Sequence, residues 1–184
     1  MKKFMSVVII AIISVSVTAC NDDRVSNEQV EEEKQVIQEK QVEEKNITKE
    51  YVLKRAKEAQ NTASSIENNS DKIVSIIRSV DEDIASSEVS NKTVVEILDY
   101  VIEKYEINKL RGGKDTLKYM YLTTFLNEQV AKNDNLEFAS DVVYNMNTIC
   151  KDTIRQLDLS MIQANINQVD DAIEQVKEKL DAIE

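Results

Sequence analysis

Histidine and proline are missing from all 184 residues, and glycine occurs only twice, at Gly112 and Gly113. Without histidine the chain lacks the side chain most often used as a general base near neutral pH and as a transition-metal ligand. That excludes Ser-His-Asp, Cys-His and His-metal sites together. Without proline, and with glycine confined to one point, the two strongest helix breakers are absent almost everywhere. Strands would need sustained alternation bounded by turn residues, whereas the apolar residues here step by three and four. The expectation is an all-α fold: an elongated helical bundle with coiled-coil-like heptad seams, preceded by a flexible or partly helical acidic tether.

Long apolar runs are scarce as well. The stretch from Val7 to Val17 is interrupted by Ser14 and Ser16 and followed by Thr18, short of the roughly 20 apolar residues that a membrane-spanning helix needs. A phosphate loop is also missing. Arg111-Gly112-Gly113-Lys114-Asp115 has Asn108 where the first glycine of that motif belongs and Asp115 where its Ser/Thr belongs.

What the N-terminus does contain is a basic start at Lys2 and Lys3, the short apolar run, and Val17-Thr18-Ala19-Cys20, small residues closing on a cysteine. This resembles the export signal and lipobox of bacterial lipoproteins. An ordinary secretory signal shares the basic start, the apolar region and the small residues, but has no need of a cysteine directly after Ala19. The resemblance covers residues 1–20. It implies lipidation of the Cys20 thiol with a diacylglyceryl group, cleavage before it, and a palmitate-type anchor in a bacterial membrane. In enteric lipoproteins an aspartate directly after the cysteine favours the inner membrane; here that position is Asn21, followed by Asp22 and Asp23, which leans toward the outer membrane. With Cys20 lipidated, Cys150 has no intramolecular disulfide partner. It falls in the series Val143, Met146, Cys150 and reads as a small core residue.

Residues 1–19 carry Lys2 and Lys3 and no acid, so the mature chain has 23 − 2 = 21 basic and 34 acidic residues, a net charge of −13. Such a chain is repelled by nucleic acid phosphates and by anionic headgroups, so no nucleic acid partner is expected. From residue 20 to 47 the composition is rich in Glu, Gln and Lys, and Glu33-Lys34-Gln35-Val36 recurs as Glu39-Lys40-Gln41-Val42. Too few apolar residues occur there to bury a face, which predicts a tether. Its random-coil reach is about 30 Å and its stretched limit about 90 Å.

The bundle is expected over residues 48–184. Val52, Ala56, Ala59, Ala63, Ile66, Ser70, Ile73, Ile77, Val80 and Ile84 alternate steps of four and three, a heptad seam. The phase carries through Asn68-Asn69-Ser70-Asp71, predicting one long or gently broken helix from 48 to 84. Val94, Ile97, Leu98, Val101, Ile102 and Tyr105 predict a second helix over 93–107. Asp115 is placed as the N-cap of a third, with Leu117, Met120, Tyr121, Phe125, Leu126 and Val130 as its apolar set and Tyr119 beside them in the aromatic centre. After Asn133-Asp134-Asn135, a series from Leu136 to Leu157 changes phase near residues 159–165, predicting one bent helix or two, with Ser160 as a cap.

The carboxylate groups Asp81-Glu82-Asp83, Asp134 with Glu137, and Asp170-Asp171 with Glu174 lack the spacing and glycine of a calcium loop. No catalytic residue, cofactor or metal site is assigned. The seam from Val52 to Ile84 is expected to be covered within the chain. The terminal stripe Ile166, Val169, Ile173, Val176, Leu180 and Ile183 is the better candidate for an external protein partner or a homo-oligomer contact. The resulting expectation is a non-catalytic lipoprotein that binds or assembles a protein partner outside the cytoplasm, in the manner of a pilotin-like assembly factor. The alternatives are a surface lipoprotein recognising a host or phage component, or an exclusion or immunity lipoprotein of a mobile element.

Overall fold

A computed structural model describes residues 45–65, 68–85 and 87–183. Among them are seven α-helices and two three-residue strands: β1 (Lys45–Ile47), α1 (Lys49–Ser64), α2 (Asn69–Ala85), β2 (Ser87–Val89), α3 (Asn91–Glu103), α4 (Ile107–Arg111), α5 (Gly113–Val130), α6 (Ser140–Ile154) and α7 (Leu159–Asp181), with a 3-10 turn at Asp134–Ala139 before α6. The helices pack on one another as an all-α bundle. Local chemistry sets their starts: Thr48, Ser90 and Asp158 each accept a backbone N–H of the first turn, from Tyr51, Thr93 and Ser160.

The centre is α5, which packs against α1, α2, α3, α4 and α6. Leu117, Tyr119, Met120, Tyr121, Leu122, Phe125, Leu126 and Val130 are all buried. They encircle the helix instead of lining one stripe, as a core helix requires. On α1 the buried positions are Val52, Ala56, Ala59 and Ala63, and the alanines let its backbone approach α5 closely.

Several expectations need correction. The predicted helix over 48–84 is two helices forming an antiparallel pair. Asn68 accepts the Ser70 N–H at 2.8 Å, so its side chain competes with the helical backbone at the break. In α2 the core takes Ile73, Ile76 and Val80, with Ile77 only partly buried. The tether boundary moves back from residue 47, because Ile47 is fully buried and β1 pairs in parallel with β2, Ile47 opposite Val89. Thr93 secures this pair by donating its hydroxyl to the Ile47 carbonyl at 3.1 Å. Asp115 lies inside α5, whose N-cap is Gly112. A Cβ there would stand 2.5 Å from the Asn108 carbonyl oxygen, so the tight α4–α5 junction requires glycine. Asp158, not Ser160, caps α7.

The last helical region is thus two helices. Gln156 adopts φ 60°; its N–H donates to the Thr153 carbonyl and the Leu157 N–H to that of Asp152, both at 3.0 Å. This is a Schellman ending with a side chain where glycine is usual. It reverses the chain, so that α7 packs against α6, α3 and the 3-10 turn.

Candidate functional site

The densest polar centre lies where α1, α2 and α5 meet. Arg55 of α1 donates through Nε to both Asp83 carboxylate oxygens, at 2.7 and 2.9 Å, and through its two Nη atoms to Glu58 at 2.8 Å and Ser79 at 3.1 Å. Tyr51 donates its hydroxyl to Asp83 at 2.8 Å and Tyr121 does so at 2.6 Å. Asp83 therefore accepts four hydrogen bonds from three donor side chains, two of them on α1 and one on α5. Burial first, and then the bond to Asp83, hold the Tyr121 hydroxyl well above the ordinary phenol range, while the Asp83 bond keeps the Arg55 guanidinium more firmly charged. The donors all converge on Asp83 and not on a cavity. Chemically this is a clasp joining three helices.

On the same two helices, Glu128 of α5, about two turns on from Tyr121, faces Asp81 of α2. Burial, the hydrogen bond to Asp81 and the repulsion between the two groups hold the Glu128 carboxyl above its usual range, with Lys132 opposing.

A second polar centre joins α5 to α6. The Asn147 amide donates to the Thr123 and Thr124 hydroxyls at 3.1 and 3.0 Å and touches the Met120 sulfur at 3.7 Å. The two hydroxyls in turn donate to the Tyr119 and Met120 carbonyls at 2.8 and 2.7 Å. Each member is satisfied, so the network fixes the register of the two helices instead of weakening the core. Cys150, one turn along α6, is fully buried, and burial pushes its thiol up out of the reactive range.

Of the residues singled out from the sequence, Cys20 lies outside the described residues. The terminal stripe requires correction. Ile166, Val169, Ile173, Val176 and Leu180 are buried within the bundle and only Ile183 is exposed, because α3 and α6 cover that face of α7. The stripe is spent on the fold and is not a free docking face. Tyr119, Tyr121 and Phe125 are buried in the core. Sequence reasoning missed the Asp83 clasp and Asn147. The only signals were an arginine beside an alanine seam and two asparagines, Asn145 and Asn147, within an apolar series, none of which names its partner.

Among the described residues no three Cys, Asp or Glu side chains converge as a metal would require, and no helix is long and apolar enough to cross a membrane. Comparison with models of known families, with curated proteins and with solved structures returned no match.

Proposed function

We propose that the chain is a lipid-anchored, non-catalytic binding or assembly protein on the outer side of a bacterial membrane, the outer membrane being favoured. The observation that carries this reading is Cys20 at the end of Val17-Thr18-Ala19-Cys20, behind a basic start and a short apolar run. Two features of the helical body support the contact role: the donors of its densest polar centre are committed to holding helices together, and its free thiol is buried. The mechanism is local concentration. An anchor confines the bundle near the membrane, where modest affinity for a partner becomes effective.

An intact-mass spectrum of membrane-extracted protein tests the anchor. A lipid increment on Cys20, lost together with membrane association in Cys20→Ser, is the expected result; an unlipidated Cys20 overturns it. Protease treatment of intact and permeabilised cells then separates two roles. Protection until permeabilisation fits periplasmic, pilotin-like assembly work, and digestion in intact cells fits recognition of a host, phage or donor-cell component.

A further inference from the structure

Helices α6 and α7 enclose an open groove of about 540 Å³, lined by Asp141, Tyr144 and Asn145 from one and by Gln168, Asp171 and Ala172 from the other. Both helices contribute the same i, i+3, i+4 spacing, so each presents one edge of a face to the other.

Four features of this groove bear on what it can hold. Tyr144 is 62 % exposed, and it alone among the described aromatic side chains is exposed. Asp141 and Asp171 are exposed, and neither is paired with a cation among the described residues. Asn145 is only 7 % exposed, and its amide, which meets solvent at the groove, makes no hydrogen bond to a described residue, whereas Asn147, two positions on, donates its amide N–H groups to two hydroxyls. Tyr100 and Phe138 already hold lysines of the chain over their rings, at 5.0 and 5.3 Å; no described lysine or arginine covers Tyr144.

An aromatic face, two unpaired carboxylates and a recessed amide acceptor are complementary to a planar cation. A guanidinium can stack on the ring, pair with a carboxylate through two parallel N–H bonds and still donate to the amide oxygen; a lysine ammonium is a compact point charge without that planar fork. We propose that the α6–α7 groove binds an arginine side chain on a basic segment of a partner protein. The proposal rests on the binding-protein reading only for the existence of a partner. The acidic charge of the chain steers such a segment toward it.

The test uses the full chain in non-ionic detergent, titrated calorimetrically with a capped peptide carrying two arginines, and with the same peptide carrying lysine or citrulline instead. Saturable binding of the arginine peptide is expected, about tenfold weaker with lysine and lost with the uncharged citrulline. Tyr144→Ala and Asp171→Asn each lower affinity about fivefold or more at unchanged helix content, and Glu82→Gln on α2 does not. No saturable binding, equal binding of citrulline, or an equal loss in Glu82→Gln overturns the assignment. So does self-association through Tyr144 without peptide binding, which would make a second copy the occupant. Lipidated protein that ignores the peptide overturns the groove alone; unlipidated protein that takes the peptide overturns the anchor alone.

Discussion

Arg55 and Asp83 stand 28 positions apart in sequence and 2.7 Å apart in space, with the Asp83 side chain only 9 % exposed. Removing the carboxylate takes the shared acceptor from the Tyr51 and Tyr121 hydroxyls and from the Arg55 guanidinium, which keeps Glu58 and Ser79, in a part-buried interface. Asp83→Ala is expected to destabilise the bundle by about 3 kcal/mol. Arg55→Met, which keeps the apolar stem but leaves Asp83 its two tyrosine donors, should cost about half as much. Urea unfolding followed by far-UV circular dichroism measures both, and equal small losses would show that the clasp contributes little.

The Glu128 carboxyl is held above its usual range in the folded state, so the folded protein binds this proton more tightly than the unfolded chain does. Its contribution is fully present below the unfolded-state value of 4.5 and is lost as pH rises through the higher folded value. Glu128→Gln should match the parent in thermal midpoint near pH 4 and exceed it at pH 7. Melting curves of both proteins across that range check the sign, and a gap that closes toward neutral pH would contradict it.

Two backbone positions give opposite results. Gln156 holds φ 60°, a conformation that costs a side chain about 1 kcal/mol and glycine almost nothing, so Gln156→Gly is expected to stabilise by about 0.5–1 kcal/mol. Gly112→Ala forces a Cβ against the Asn108 carbonyl and should destabilise by about 1–3 kcal/mol. Denaturant midpoints of the two variants read both directly.

The Cys150 thiol is fully buried and should react with an aromatic disulfide reagent only as the bundle opens. Labelling of the Cys20→Ser chain in native buffer is therefore expected to be slow and to accelerate sharply through the urea transition. Rapid labelling of the native chain would place the thiol at the surface.

Helix content was legible because burial on a helix leaves a period that survives in sequence. The period of α7 shows which of its residues are buried but not by what, and so Ile166 to Leu180 read as a face awaiting an outside partner when α3 and α6 already cover it. The break between α1 and α2 was hidden by coincidence of phase, since Val52 to Val80 keep heptad spacing across a reversal that Asn68 makes locally. Strand β1 was invisible, because Ile47 is an isolated apolar residue whose burial depends on β2, more than 40 positions away. The groove residues Tyr144 and Asp171 carry no joint signal in sequence; only the turn at Gln156 brings their helices side by side.

The pairing of β1 with β2 has a mechanical meaning. Any tension arriving along the chain from before Lys45 meets a ladder of three residues before it meets a helix, and a two-stranded pair holds little by itself. Peeling that ladder would draw Ile47 out of the core and strip the Thr93 hydroxyl of its acceptor, while the Asp83 clasp, anchored on α1, α2 and α5, stays closed. The short strand would thus yield first under load and spare the bundle behind it.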